Sequence, residues 1–515
     1  MICGLVVALV SLSCAIGVLD QNDPLFNAPN GVGLWSPTPS ISFPTDRPLP
    51  VKTNSSPAEQ ILRSSTEIPT PPSVPVDSAP LLYYTQAGDT LPVVAIRFGV
   101  EPDEISSPAG SLPTNGLLTP NTLLIIPHML VNTTSSIKII PDSELVYSPS
   151  AIDFDVEAFI NEAGGYLSRY KEWLGTTQWT TGSEIVMKVA IENSINPRLL
   201  LALLEYQSGW VYGIPSNPKQ EDYPMGKVEL SLKGLYSQLA WAVNQLSTGY
   251  YGWREGWVTD ILFSDGVSAR LAPDLNSGTV ALQYYIAQVY DTPGWLGALD
   301  TNAGLPALYD RMFGSPWNRA MEVEPLYPPN LSQPNLILPF LIGQMWSFTG
   351  GPHGAWERDG ARAAIDFAPG STESGCVKST AWVVASAPGL IVRAGHGVIV
   401  EDLDGDGNEQ TGWDILYLHV TDVRIGVGDW VETSDYLGHP SCEGGIATGT
   451  HVHLARKYNG EWISADGPLP MVLSGWTVHA DSVPYEGTMT KGNQTVTSSI
   501  YGSSESLITR TRENP

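Results

Sequence analysis

The amino-acid sequence predicts a multidomain chain that contains a small βααβ domain, an all-α domain and a C-terminal antiparallel β domain. A length of 515 residues exceeds what one hydrophobic core of ordinary size accommodates. The composition, 42% hydrophobic residues with 50 Gly and 42 Pro, is that of globular domains rich in turns. The spacing of apolar residues also changes along the chain, from helical in the middle to short strands in the last third.

The N-terminal segment predicts export. Residues 1–19 are apolar and carry no charge, which is typical of a signal peptide or an N-terminal anchor. Residues 20–80 are rich in Pro, Ser and Thr without sustained periodicity, and predict a linker. We therefore expect a secreted or cell-surface protein.

Residues 82–127 predict the small βααβ domain. An apolar strand leads into Gly88-Asp89-Thr90-Leu91, an amphipathic segment follows, and a strand at 122–126 closes the unit. These motifs resemble a lysin-motif (LysM) domain, which implies binding to N-acetylglucosamine-containing glycans through Gly88, Asp89, Thr90 and Leu91. The same residues also suit a simple turn and helix cap.

Residues 150–320 predict the all-α domain. The stretch INPRLLLALLEYQSGW resembles the helix that carries the catalytic glutamate of lysozyme-like transglycosylases. This chain has Gln207 at the position of that acid, and an amide cannot protonate a glycosidic oxygen. Glu205 lies about 200° around the helix and is a poor substitute. The resemblance implies a degenerate lysozyme-like domain. Helical periodicity is found in five segments: 156–174, 183–193, 197–207, 234–246 and 279–290.

The last third predicts the C-terminal β domain and contains most of the chemistry. A Pro-rich linker at 321–338 precedes short Val, Ile and Leu strands over 339–476, and a polar tail is expected at 477–515. Of the eight histidines, seven lie beyond residue 350. His451 and His453 are two apart on a predicted strand, so they share one face, and we expect the same of Tyr417 and His419.

Three segments of this domain resemble the lysostaphin-type (LytM-like) zinc metallopeptidases: GGPHGAWERDGARAAIDFAP, WDILYLHV and GTHVHLA. The resemblance implies that His353, Asp366 and His453 bind Zn²⁺ and that His419 and His451 are the catalytic pair. Twelve residues separate His353 from Asp366, more than is usual in the family, so the segment WERDGARAA is interpreted as a loop insertion.

The implied activity is a secreted zinc metalloendopeptidase acting on peptidoglycan, its stem or cross-bridge peptides, with LysM docking on the glycan. Zinc polarises the scissile carbonyl and lowers the pKa of bound water, while the histidine pair accepts a proton and stabilises the oxyanion. Tyr417 is expected to orient one of these histidines. Two alternatives stay open: a non-catalytic wall-binding or regulatory protein, and a lysozyme-like hydrolase that cleaves glycan. A formal charge of −27 argues against nucleic acid and anionic membranes as partners.

Two further features concern stability and a second cation. Cys376 and Cys442 predict one disulfide in an exported chain, with two unpaired buried thiols as the alternative. Asp402, Asp404 and Asp406 have the alternating spacing of the first half of an EF-hand loop, which indicates possible Ca²⁺ binding. Trp413 stands where the closing glutamate is expected, and a tight hairpin turn explains the same residues.

Overall fold

The computed structural model describes residues 79–512. The predicted signal peptide or anchor and almost all of the 20–80 linker lie outside these residues. Within the described range, none of the helices combines the length and apolar character that crossing a membrane requires.

The first domain consists of a strand, a helix, a 3₁₀ turn and a second strand: β1 (Leu81–Tyr84), α1 (Leu91–Phe98), the turn Pro102–Glu104 and β2 (Leu123–Ile126). β1 and β2 pair antiparallel. Thr90 caps α1 by accepting from the Val93 amide, and Gly99, at a φ of 69°, ends it. The order matches the prediction, but the second helix is only one 3₁₀ turn. The LysM assignment itself stays a prediction.

The helical domain contains nine α-helices in the described chain: α2 (Val156–Ala163), α3 (Gly182–Asn193), α4 (Pro197–Ser208), α5 (Pro218–Asp222), α6 (Leu235–Glu255), α7 (Ser277–Val289), α8 (Thr292–Ala298), α9 (Leu305–Phe313) and α10 (Pro316–Val323). It is not all-α, because two hairpins interrupt it: β3 (Lys171–Leu174) with β4 (Gln178–Thr181), and β5 (Asp260–Leu262) with β6 (Ser268–Arg270). The helix predicted over 156–174 ends early, since Gly164 adopts a φ of 66°. Trp173 and Trp179 then face each other across the first hairpin.

The C-terminal domain is built on one long antiparallel sheet, here called the main sheet, with strand order β14-β10-β11-β12-β16-β8-β7-β22 and β17 paired to β16. Smaller sheets have the orders β13-β15-β9 and β18-β19-β20-β21. The strands are β7 (Met345–His353), β8 (Ala364–Pro369), β9 (Val383–Val384), β10 (Gly389–Gly395), β11 (Val398–Asp402), β12 (Trp413–Leu418), β13 (Val420–Thr421), β14 (Trp430–Val431), β15 (Tyr436–Pro440), β16 (Val452–Tyr458), β17 (Glu461–Trp462), β18 (Val472–Leu473), β19 (Trp476–Ala480), β20 (Gly487–Lys491), β21 (Gln494–Thr497) and β22 (Leu507–Thr509).

The segment after residue 476 is not the polar tail that the sequence suggests. Its strands β19 to β21 form a sheet, and β22 pairs with β7 at the edge of the main sheet. Val478, Met489 and Ile508 are buried in the same core as the strands of the main sheet. The sequence does not reveal this sheet because the apolar residues of the segment are scattered singly over short strands.

The helical domain and the C-terminal domain share a hydrophobic core. Trp462 and Ala364 from the sheet belong to the same buried cluster as the helices. The predicted 321–338 linker is packed as well, since Leu326 and Tyr327 are buried in that cluster. Arg254 at the end of α6 lies at the junction, paired with Asp142 at 3.1 Å and with Glu461 of β17 at 3.0 Å.

Candidate metal centre

Three adjacent strands of the main sheet bring together the predicted metal ligands. His353 ends β7, Asp366 lies in β8 and His453 lies in β16. His453 and Asp366 are directly opposite in the β16–β8 register, so their side chains emerge on the same face. The β7–β8 pairing is irregular between Gly350 and His353. A Cβ at Gly350 would lie 2.4 Å from Asp366 Oδ2, so only glycine leaves room for that carboxylate.

The three candidate ligand atoms are close to one another and buried. His353 Nε2 lies 3.0 Å from His453 Nδ1 and 3.4 Å from Asp366 Oδ1, and His453 Nδ1 lies 3.2 Å from the same oxygen. Zinc bonds of 2.0–2.2 Å in a tetrahedron imply ligand atoms roughly 3.4 Å apart. The separations therefore suit a small tetrahedral cation.

The hydrogen bonds of both histidines orient a free lone pair of each ring towards the space between the three candidate ligand atoms. His353 Nδ1 donates to the Gly351 carbonyl at 2.8 Å, and His453 Nε2 donates to the Ala355 carbonyl at 2.9 Å. The opposite nitrogen of each neutral ring is then an acceptor. Asp366 Oδ1 is buried and accepts no hydrogen bond from the described residues. Three acceptors that face one another require a cation between them, so the residues fit a metal ion.

The carboxylate of Asp366 is held ionised, as metal binding requires. Burial by itself raises its pKa, but positive charge on the rings of His353 and His451 before a metal binds more than offsets burial, and the pKa lies well below the usual range. An ionised oxygen is the form that coordinates zinc.

The predicted catalytic pair lies beside the candidate ligands. The rings of His419 and His451 are 4.5 Å apart, and His451 Nε2 is 3.7 Å from Asp366 Oδ1. Each ring donates through Nδ1 to a carbonyl, His419 to Glu443 at 2.8 Å and His451 to Gly449 at 2.7 Å. Burial lowers the pKa of His419 to about 3, so its ring is neutral and Nε2 carries a free lone pair. The five predicted residues thus meet at one site, while their individual roles stay predictions.

Tyr417 does not orient His419, contrary to the sequence-based expectation. β12 ends at Leu418, and His419 has a φ of 66°, so the alternation that would place both side chains on one face is broken. Tyr417 is buried in the core, where its hydroxyl donates to Glu401 at 2.6 Å and accepts from the Ser386 amide at 2.7 Å. A single left-handed residue cannot be predicted from strand periodicity.

The insertion between His353 and Asp366 packs against α6. Asp359 accepts from the Asn244 side chain at 2.8 Å, and its amide donates back to that side chain at 3.0 Å. Ala355, the residue directly before the insertion, provides the carbonyl that fixes the ring of His453. The insertion thus connects the helical domain to a candidate ligand.

Tyr485 is a site residue that the sequence did not indicate. Its ring stacks on His353 with centroids 4.1 Å apart and an interplanar angle of 19°. The Tyr485 carbonyl also accepts from the Gly351 amide at 2.7 Å, next to the carbonyl that orients His353. Partial desolvation of the phenol and the nearby Asp366 raise its pKa to about 12, although 41% of the residue is exposed. No motif marks this position, which lies in the supposed tail.

The predicted disulfide is confirmed. Cys376 and Cys442 are bonded, with their Cα atoms 5.8 Å apart. Next to the bridge, the Thr450 hydroxyl donates to the Val377 carbonyl and accepts from the Val377 amide at 2.9 Å. These contacts tie the loop of Cys376 to the residue before His451.

The residues predicted to bind glycan in the first domain are buried. Asp89 pairs with Arg97 at 2.8 Å and accepts from Tyr83, while Thr90 caps α1. A Cβ on Gly88 would lie 2.2 Å from the guanidinium of Arg254, and Leu91 belongs to the domain core. These four residues thus form the turn and cap that the sequence analysis kept as the alternative. Glycan binding stays a prediction, which their burial does not support.

The candidate acid positions of the helical domain have structural roles. Glu205 accepts from the amides of Val211 and Tyr212 at 2.9 and 3.0 Å. Gln207 accepts from the hydroxyl of Tyr290 at 2.7 Å. Neither arrangement supports glycan cleavage by these two residues.

Known proteins with sequence similarity include a protease and a metalloendopeptidase. Residues 138–329 match the family model described as the N-terminal domain of LasA. Protease LasA from Pseudomonas aeruginosa is 25% identical over 345 residues, which span 63% of this chain and 75% of that protein. Beta-lytic metalloendopeptidase from Achromobacter lyticus is 26% identical over 162 residues, 30% of this chain and 41% of that protein.

Solved structures also match part of the chain. A structure described as the M23 metalloprotease pseudoalterin has 23% identity and a TM-score of 0.28, and the match covers 32% of this chain and 96% of the other. The catalytic domain of lysostaphin from Staphylococcus simulans has 23% identity and a TM-score of 0.18, with coverages of 23% and 87%. On the sequence matches, Protease LasA and beta-lytic metalloendopeptidase are homologues of this chain, and the resemblance of its C-terminal part to metallopeptidases is confirmed.

Proposed function

We propose that the protein is an exported zinc metalloendopeptidase that hydrolyses peptide bonds of peptidoglycan. The observation that carries the proposal is the convergence of His353 Nε2, His453 Nδ1 and the unpartnered Asp366 Oδ1 within 3.4 Å. Two imidazoles and a carboxylate form a ligand set typical of catalytic zinc, which leaves a further position for water or substrate. The homology to named metallopeptidases supports the same class.

In this proposal, the side chains around the ligands transfer protons and stabilise the developing charge. Zinc, when bound, supplies a Lewis acid that polarises a carbonyl and acidifies water. The Nε2 lone pair of His419 is the proton acceptor, and the carbonyl of Glu443 holds its ring in the required orientation. His451 lies beside it and, once protonated, donates to the oxygen on which negative charge develops.

The substrate class rests on the resemblance to lysostaphin-type enzymes and, more weakly, on the LysM-like first domain. Digestion of purified peptidoglycan followed by mass analysis tests it. New stem-peptide or cross-bridge termini support the proposal. New sugar ends would indicate a glycosidase, unchanged material would indicate a binding protein, and either result would contradict the proposal.

Two variants separate metal binding from catalysis. His453→Ala removes a ligand, so metal analysis should find the zinc content reduced from about one per chain to near zero. His419→Ala should keep the zinc and lower turnover by about 100-fold or more. The assignment is refuted if either variant retains the turnover of the unmodified protein.

A further inference from the structure

The acidic cluster of the β11–β12 turn is explained by the turn itself. One oxygen each from Asp402, Asp404 and Asp406 lies within 4.8 Å of the others. The carboxylate of Asp402 accepts from the amides of Asp404 and Gly405, both at 3.1 Å, and from the amide of Gly407 at 2.9 Å. These are the hydrogen bonds of the tight hairpin turn that the sequence analysis kept as the alternative, and calcium binding stays a prediction.

The insertion, by contrast, contacts both the helical domain and the loop between β19 and β20. This loop, residues 481–486, is exposed along its whole length. Arg362 of the insertion donates through its two terminal nitrogens to the carbonyls of Asp481 and Ser482, at 2.9 and 3.1 Å. Because exposed backbone has little packing to fix its position, these two hydrogen bonds restrain the start of the loop.

Tyr485 lies at the other end of this loop and contacts a candidate metal ligand. Its ring stacks on His353 with centroids 4.1 Å apart, and its carbonyl accepts from the Gly351 amide at 2.7 Å. Gly351 also provides the carbonyl that accepts from His353 Nδ1. The Asp481 amide donates to the Glu486 carbonyl at 3.1 Å, which closes the loop on itself. A residue that fixes the start of the loop therefore also fixes the ring that packs on His353.

The backbone of Arg362 is held by both large domains. Its carbonyl accepts from the Ala465 amide at 2.8 Å, and the adjacent Ala363 is buried in the core shared with the helices. Gly360 lies against α6, since a Cβ at that position would be 2.9 Å from the Cβ of Ser247. The guanidinium thus extends from a fixed backbone to an exposed loop, so the loop takes its position from Arg362.

We propose that Arg362 is a positioning residue for the metal centre, which keeps Tyr485 stacked on His353 without being a ligand itself. This inference rests on the proposed zinc site and adds a residue to it. A ligand ring that is already held in its binding orientation loses less freedom when the ion binds. Contacts that orient ligands in this way typically change metal affinity by about 10–100-fold. The planar guanidinium suits this role because it donates to two successive carbonyls at once.

The zinc affinity of the full chain, measured by competition with a chromogenic chelator, tests the proposal. Arg362→Met should weaken zinc binding about tenfold. Arg362→Lys should keep most of the affinity, since an ammonium group can still donate to the two carbonyls. Arg311→Met, at an exposed position of α9, is the matched control and should bind zinc as the unmodified chain does. Equal affinity in Arg362→Met and the unmodified chain would overturn the proposal. No zinc binding by the unmodified chain would overturn the proposed function, and this inference with it.

A double-mutant cycle distinguishes positioning from a general loss of stability. If Arg362 acts through Tyr485, the double variant Arg362→Met/Tyr485→Ala should bind zinc about as weakly as Tyr485→Ala alone, because the positioned ring is already absent. A double variant weakened by the product of the two single effects would contradict the proposal. The near-ultraviolet circular dichroism of zinc-free Arg362→Met should match that of the unmodified chain. Loss of this spectrum together with zinc affinity would show a folding defect and overturn the positioning role.

Discussion

At the scale of single residues, Glu401 makes the stability of the fold depend on pH. Burial raises its pKa to about 8 from an ordinary value of 4.5, and the hydroxyl of Tyr417 only partly opposes the shift. The folded chain therefore holds this proton more tightly than the unfolded chain. The resulting stabilisation is complete below the ordinary pKa and is lost as pH rises towards 8.

Glu401→Gln should remove this pH dependence. Between pH 5 and pH 8, the free energy of unfolding of the unmodified protein should fall by an amount on the order of 3 kcal/mol. The variant should not show this fall. Chemical denaturation at several pH values measures it. Glu373→Gln, at an exposed position, should keep the original slope. An identical slope in Glu401→Gln and the unmodified protein would show that the carboxyl group does not titrate in this range.

Tyr485 acts on the metal centre through its ring. Tyr485→Ala removes the face that stacks on His353 and should weaken zinc binding roughly tenfold, the effect of one well-placed aromatic contact. Tyr485→Phe retains the ring and should bind zinc normally. Competition with a chromogenic chelator measures both affinities. Equal weakening by Phe and Ala would mean that the hydroxyl, and not the stack, is responsible.

At the scale of elements, the disulfide restrains the loops around the site. The bridge closes a sequence separation of 66 residues, which stabilises the fold by about 4 kcal/mol on the chain-entropy estimate. Cys442→Ser, or added reductant, should lower the melting temperature. Because the Cys376 loop contacts Thr450 beside His451, zinc should also dissociate faster. Cys376→Ser should reproduce both effects. If zinc dissociates from both variants as slowly as from the unmodified protein, the disulfide does not stabilise the metal site.

At the scale of the whole molecule, Arg254 joins the domains. It pairs with Asp142 and Glu461, and Gly88 of the first domain packs against it. Arg254→Met leaves two buried carboxylates without their partner, which should cost about 3–5 kcal/mol in unfolding free energy. Calorimetry measures the loss. Lys233→Met, which breaks an exposed pair with Asp222, is the control and should leave the unfolding free energy almost unchanged.

The sequence predicted the residues of the metal site better than it predicted the contacts between distant segments of the chain. The histidines and Asp366 were identified through the resemblance of three short segments to lysostaphin-type metallopeptidases, because motif residues are a local property of the sequence, and the predicted three-domain order follows from periodicity. Tyr485, the strands beyond residue 476 and the turn at His419 were missed. Each depends on a contact between distant segments or on one unusual φ, neither of which leaves a periodic pattern.

The core shared by the helical and C-terminal domains limits how the protein can be shortened for practical use. Trp462 of β17 is 6% exposed only because α6 and the end of α3 cover it: its amide donates to Tyr251 at 3.0 Å and its indole to the Asn193 carbonyl at 3.3 Å. A recombinant fragment starting near residue 339 would present this tryptophan and its apolar neighbours to water. We expect such a fragment to aggregate during expression, and polar replacements on that face would be needed to obtain the C-terminal domain alone.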